Sequence, residues 1–121
     1  MSNAQRLAER YAAVWNEADA GARRMAIAEL WVPDGQHYVM TREVRGYDAL
    51  EERIIGAYEK NVRDGGNRFR TVNNAQIVQN VVTFNWEMIP AGGGEVAAVG
   101  LEFLVLDDHG RILTDYQFIV S

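Results

Sequence analysis

The chain has 121 residues, a formal net charge of −5, 48% hydrophobic residues and no cysteine. This length fits a single domain covering residues 1–121, and the lack of cysteine excludes disulfides and thiolate chemistry. Twelve basic residues against 17 acidic ones predict no nucleic-acid partner, because duplex binding needs clustered cations.

Targeting and metal-binding signals are also absent from the sequence. No apolar run approaches the roughly 20 residues of a spanning helix, and the polar start MSNAQRLAER differs from a secretion signal. We therefore expect a cytoplasmic protein without a membrane partner. Two isolated histidines, at positions 37 and 109, predict no metal site, and we expect no cofactor.

Apolar residues at helical spacing predict three helices in the first half of the chain. The first covers residues 3–18. The second begins at an Asp19 N-cap and is stopped by Pro33, and the third opens on the capping-box pattern at 48–51. Residues 36–42, between the last two helices, are consistent with one short strand.

The second half of the chain has strand periodicity. Runs rich in β-forming residues cover 69–78, 81–89, 96–106 and 112–120, and the short turns between them require antiparallel neighbours. The predicted fold class is α+β, with three N-terminal helices packed on a strongly curved, mainly antiparallel sheet.

One predicted strand is apolar on both faces. The run VAAVGLEFLVL at 96–106 does not alternate, although a strand with one face open to water should. Three helices cover only one side of a sheet. We therefore expect a homodimer through the other sheet face.

Hairpin geometry predicts the neighbours of Glu102. A loop centred on Gly93 places Phe84 opposite Glu102 and Trp86 opposite Gly100. Large side chains then meet small ones.

The last hairpin leaves two registers open. A two-residue turn at 109–110 places Glu102 opposite Gln117 and puts Asp115 on the same face. A three-residue turn, with Gly110 in a left-handed conformation, shifts the register by one residue and places Tyr116 there instead.

Residues 8–16, 28–35 and 100–112 together resemble the SnoaL-like branch of the nuclear transport factor 2 superfamily. The cone-shaped α+β fold of that superfamily also houses ketosteroid isomerase, scytalone dehydratase and limonene epoxide hydrolase. The resemblance implies a cystatin-like cone with an internal apolar pocket and a dimer across the sheet. It implies no single chemistry, because this fold hosts many functions.

Four residues are candidates for catalysis. Glu102 lies in an apolar strand, where burial of a carboxyl favours its neutral, proton-donating form; its alternative role is an ion pair. Glu102 and Tyr11 resemble the hydrogen-bond donors of ketosteroid isomerase, and Asp115 resembles the sheet carboxylate of SnoaL-like cyclases. Met40 or Val39 stands where the isomerase has its catalytic Asp, so His37 is the substitute base there.

Aromatic and other side chains are predicted to contact a small hydrophobic ligand, and these are Trp15, Phe84, Trp86, Tyr58, Met40 and Gln117. The favoured function is cofactor-independent proton transfer on a small hydrophobic carbonyl compound, as in a cyclase or isomerase. The alternatives are a non-catalytic binding or dimerisation module and an epoxide hydrolase or dehydratase that uses the same pocket.

Overall fold

The computed structural model describes residues 2–121. It contains helices α1 (Asn3–Asn16), α2 (Ala20–Leu30) and α3 (Tyr47–Ala57), a π-helical segment (Tyr58–Arg63), and strands β1 (Trp31–Val39), β2 (Arg42–Arg45), β3 (Asn67–Thr71), β4 (Gln76–Val78), β5 (Val81–Pro90), β6 (Ala98–Leu106) and β7 (Ile112–Ile119). No helix within residues 2–121 has both the length and the apolar character to cross a bilayer.

The strands form a single mixed sheet in the order β2-β1-β7-β6-β5-β3, and β4 also pairs with β5. Every pairing is antiparallel except that of β1 with β7. The helices cover one face of this sheet. The predicted α+β class is therefore confirmed.

Side-chain caps begin the first two helices, and the cap of the second is the predicted Asp19. Ser2 Oγ accepts a hydrogen bond from the Gln5 backbone N–H at 3.0 Å, and Asp19 Oδ2 accepts one from Ala22 N–H at 2.8 Å. The capping-box prediction for α3 is wrong. Its N-cap is Gly46, which has a φ of +86° and offers no side chain.

Pro33 does not stop α2. The helix ends at Leu30, and Pro33 lies inside strand β1 at an irregular stretch between Trp31 and Gln36. A bulge of this kind tolerates a residue without a backbone N–H. The strand predicted for 36–42 therefore starts earlier, at Trp31. The strand predicted for 69–78 is two short strands, β3 and β4.

The predicted pairing of β5 with β6 is confirmed, since Phe84 lies opposite Glu102 and Trp86 opposite Gly100. Trp86 fills the space above Gly100 so closely that a Cβ on this glycine would lie 2.1 Å from Trp86 Cε2.

The last hairpin combines both predicted alternatives. Gly110 has a φ of +81° and donates to the Asp107 carbonyl, which is the three-residue type of turn. Leu113 then forms a β-bulge that shifts the register back by one residue. As a result Glu102 lies opposite Gln117, and Asp115 rather than Tyr116 is directed to the inner face.

The core lies between the helices and the concave sheet face, where Trp31, Ile27, Leu50, Ile54 and Leu104 are fully buried. No helix within residues 2–121 covers the convex face, which carries Tyr38, Phe103, Tyr116 and Phe118. The Tyr38 and Tyr116 rings stack at 5.5 Å, and Phe103 meets Tyr116 edge-on at 6.1 Å.

Candidate active site

A cavity of about 200 Å³ opens between α1, α3 and the concave face of the sheet. Its lining residues are Tyr11, Ala12, Trp15, Arg53, Ala57, Asn61, Phe69, Trp86, Met88, Ala98, Glu102, Gln117 and Ile119. The wall is mainly apolar. Glu102 is the one carboxyl among the described residues that line it.

Strand register brings two carboxyls and a histidine together behind this wall. His37 on β1 is the direct partner of Asp115 on β7, and Glu102 on β6 lies one strand further on. All three side chains are fully buried. Tyr11, from the buried stripe of α1, reaches between the two carboxyls.

These groups form one continuous hydrogen-bonded chain. His37 Nδ1 lies 2.7 Å from Asp115 Oδ2, and the Tyr11 hydroxyl lies 2.5 Å from the same oxygen. The Tyr11 hydroxyl is also 3.1 Å from Glu102 Oε2, and Trp86 Nε1–H donates to Glu102 Oε1 at 2.8 Å.

The pattern of hydrogen bonds fits a protonated Glu102. A phenol carries one hydrogen, so Tyr11 donates to only one carboxyl, and its shorter contact assigns that bond to Asp115. A proton on Glu102 Oε2 then completes the longer contact by donating to the Tyr11 oxygen. Trp86, a donor only, is satisfied by the remaining carbonyl oxygen.

The pKa values of the two carboxyls are shifted in opposite directions, in agreement with this placement of the proton. Burial, reinforced by the nearby negative charge of Asp115, raises the pKa of Glu102 well above its ordinary value. Burial alone would also raise the pKa of Asp115. The nearby His37 imidazole, the neighbouring Glu102 and the hydrogen bonds from His37 and Tyr11 together outweigh burial and lower it. The pair therefore holds its proton on Glu102 and its charge on Asp115.

Tyr11 stays a neutral phenol in this setting. Burial and the two neighbouring carboxyls raise its pKa well above 10.0. It therefore acts as a hydrogen-bond donor and not as a base.

Five of the side chains predicted for a site line the cavity, namely Tyr11, Trp15, Trp86, Glu102 and Gln117. Asp115 and His37 belong to the hydrogen-bonded chain but lie one layer deeper, outside the lining. Their predicted roles as bases in direct contact with a substrate do not fit this placement. Among residues 2–121, the hydrogen-bonded link from both side chains to the cavity lining runs through the Tyr11 hydroxyl.

Three residues predicted to contact a ligand lie outside the lining of this cavity. Phe84 is buried in the core beneath the Tyr11 ring, 5.5 Å away between centroids. Tyr58 packs under the Arg23 guanidinium at 5.2 Å. Met40 lies in the turn after β1 with 84% of its surface exposed. None of the three lines the cavity.

Two residues of the lining, Arg53 and Asn61, are not among the ligand-binding residues predicted from the sequence. Arg53, Ala57 and Asn61 follow one another at four-residue intervals and all line the cavity. The same spacing puts residues on one helix face. The four-residue spacing of these three side chains was therefore a signal in the sequence that they share one side of the helical region.

The described residues do not provide the set of ligands that a metal ion needs. Within residues 2–121, no group of three or more His, Asp or Glu side chains lies in an arrangement that could hold an ion. The polar side chains of the lining are instead a guanidinium, two amides, a phenol, two indole N–H groups and the Glu102 carboxyl. This arrangement can hold a carbonyl oxygen and transfer a proton to it.

No protein-family model matches the sequence, and no curated protein matches it. Solved structures do match. A proposed isomerase of the SnoaL-like family from Agrobacterium tumefaciens is 24% identical, with a TM-score of 0.87 over 100% of both chains. A proposed polyketide cyclase from Sinorhizobium meliloti is 12% identical, with a TM-score of 0.67 over 93% of this chain and 94% of that one.

An NTF2-like protein with a cystatin-like fold from Novosphingobium aromaticivorans is 18% identical, with a TM-score of 0.67 over 96% of this chain and 79% of that one. The protein therefore has the cystatin-like fold of SnoaL-like and NTF2-like proteins, and the resemblance predicted from the sequence is confirmed for the fold. At these identities the likeness does not extend to an activity.

Proposed function

We propose that the protein is a cofactor-independent isomerase that moves a proton within a small apolar carbonyl compound. The observation that carries this proposal is Glu102, a buried carboxyl that lines the cavity and is held neutral by its surroundings. A neutral carboxyl is both a proton donor, through its O–H, and a proton acceptor, through its other oxygen. One side chain can then serve both halves of a keto–enol interconversion.

The step balances with no other reactant. The Glu102 O–H turns from the Tyr11 oxygen to the carbonyl oxygen and gives it the proton. The carboxylate then takes the hydrogen from the adjacent carbon, and the products are the enol and a neutral Glu102. Tyr11 and Trp86 keep the carboxyl oriented through the two bonds described above. Asp115 and His37 are positioning residues, because they direct the Tyr11 hydroxyl from the layer below.

Cavity size limits the substrate. An apolar cavity of about 150 Å³ holds benzene, so about 200 Å³ admits one substituted ring. A multi-ring polyketide would need a larger space. The names of the similar structures fit the reaction type, since one is a proposed isomerase and another a proposed cyclase.

Deuterium exchange at the carbon next to a carbonyl tests this proposal without a known substrate. Cyclohexanone and acetophenone in D₂O are followed by proton NMR with the wild type, Glu102→Gln and a control, Glu87→Gln. Glu87 is a neighbouring carboxyl on the opposite face of β5, paired with Arg70. We expect exchange that Glu102→Gln lowers by about 10²-fold or more, as removal of a general acid–base does.

The control variant should exchange at the wild-type rate. No exchange above the uncatalysed rate with either ketone, or equal rates in wild type and Glu102→Gln, would contradict the proposal and favour a binding module.

We also propose a homodimer through the convex sheet face. Phe103, Tyr116 and Phe118 are 36%, 41% and 53% exposed in the single chain, and they lie on adjacent strands β6 and β7. A contiguous apolar face of this kind is typical of an isologous interface.

A further inference from the structure

Among the described residues, the Arg53 guanidinium forms no ion pair with a carboxylate. Its guanidinium carbon lies 5.0 Å from the centre of the Trp15 ring, and both side chains line the cavity. Among residues 2–121 no carboxylate oxygen lies within 4.0 Å of it. Its Nε–H is buried and has no hydrogen-bond partner. A partly buried cation with these deficits is costly unless a ligand supplies the missing charge.

The surroundings compensate this charge only in part. Burial, and after it the positive charge of Arg42, lowers the pKa of Arg53, although Tyr11, Glu102 and Asp115 act in the opposite direction. The one carboxyl among the described lining residues, Glu102, is neutral as argued above. Arg53 is therefore the one charged side chain in this lining, in a protein with a net charge of −5.

The remaining polar groups of the lining also suit an anion. Asn61 and Gln117 line the cavity, and each side-chain amide carries an N–H₂ that can donate to an anion. Asn61 is eight residues after Arg53 and lies on the same side of the cavity, whereas Gln117 lies opposite Glu102 on the sheet. Apolar side chains, including Trp15, Phe69 and Met88, form most of the rest of the wall.

We infer that the cavity binds a small apolar monocarboxylate, with the carboxylate on Arg53 and a ring or short chain against the aromatic wall. Arg is suited to this task because its planar fork of donors matches a carboxylate. The inference deepens the proposed function and, for the substrate, rests on it: the substrate is then a monocyclic or short-chain oxo acid. Binding itself does not depend on turnover.

An anion at Arg53 also agrees with the role of Glu102. A carboxylate in the same small cavity disfavours a second negative charge on Glu102. Substrate would thus strengthen the neutral form on which the proposed proton transfer depends.

Titration calorimetry with a matched pair of probes tests the inference. Phenylacetate and phenylacetamide have nearly the same shape, and only the first is charged. We expect phenylacetate to bind wild type at least about ten times more tightly than the amide. Arg53→Met should lower the affinity for phenylacetate by about 10- to 100-fold, which is the usual effect of losing a charged hydrogen bond. The affinity for phenylacetamide should not change.

Arg68→Met is the control. Arg68 is exposed on β3, next to Phe69 but directed away from the cavity, and its removal changes the net charge equally. It should leave both probes unaffected. Arg53→Lys keeps a charge and provides a second variant if Arg53→Met does not fold; we expect it to bind phenylacetate more weakly than wild type.

Three results would overturn the inference: no binding of phenylacetate, equal affinity for the two probes, or equal effects of Arg53→Met and Arg68→Met. The proposed function fails separately. Charge-dependent binding at Arg53 without deuterium exchange would retain this site and remove the isomerase. Exchange on neutral ketones, together with phenylacetate binding that Arg53→Met does not weaken, would retain the isomerase and remove this site.

Discussion

Replacing Glu102 by Gln should change how stability depends on pH. The pKa of Glu102 is raised well above its ordinary value of 4.5 in the folded chain, and in the unfolded chain the group titrates ordinarily. Above about pH 4.5 the unfolded state therefore loses this proton while the folded state keeps it. Stability from this group falls as the pH rises, until the folded pKa is passed and the slope ends.

The magnitude follows from one proton. In that window the free energy of unfolding of wild type should fall by about 1.4 kcal/mol per pH unit relative to Glu102→Gln. Gln is a fair mimic of the neutral acid, because its amide can donate toward Tyr11 while its oxygen accepts from Trp86. A constant difference in unfolding free energy between the two proteins does not affect the test, because the prediction concerns only how that difference changes with pH.

Urea unfolding followed by tryptophan fluorescence measures this slope over a series of pH values between about 4 and 8. Glu87→Gln is the control and should track wild type. A difference between wild type and Glu102→Gln that stays flat across the series would refute the reasoning, since it would mean that folding does not perturb the Glu102 proton.

Other consequences concern packing, the buried pair and assembly. Gly100→Ala should destabilise the fold by about 1–3 kcal/mol, because the new methyl group overlaps Trp86; an unchanged urea midpoint would contradict the close contact. His37→Ala should cost about 3–5 kcal/mol of unfolding free energy by leaving Asp115 buried with one partner fewer, and a loss under about 1 kcal/mol would argue against the buried pair. Tyr116→Glu should convert a dimer into monomers in sedimentation equilibrium, whereas a monomeric wild type would remove the dimer proposal.

Much of the fold is readable from local chemistry. The Asp19 cap and the pairing of Trp86 with Gly100 depend on short-range rules, and both are confirmed. The bulge at Leu113 is different. Nothing in the sequence of the turn specifies this bulge. The bulge keeps Asp115 on the inner face, and that requirement comes from the packing of the whole sheet.

The site was predictable in part for the same reason. Glu102 stands out as an acid in an apolar strand, and the hairpin register places it inward. The depth of Asp115 and His37 depends on the parallel pairing of β1 with β7. That pairing joins residues 78 positions apart, and no turn or periodicity reports it. Met40 lies away from the cavity because strand β1 ends at Val39 and the chain then turns toward solvent.

Infrared difference spectroscopy on the Glu102 side chain tests the central claim most directly. Wild type and Glu102→Gln, both labelled with ¹³C-glutamate, are compared at about pH 6, where an ordinary glutamate is ionised. A neutral Glu102 gives the C=O stretch of a protonated carboxylic acid in wild type, and this band is missing from the variant. A difference spectrum with only the two carboxylate bands would show an ionised Glu102 and contradict the proposed proton transfer.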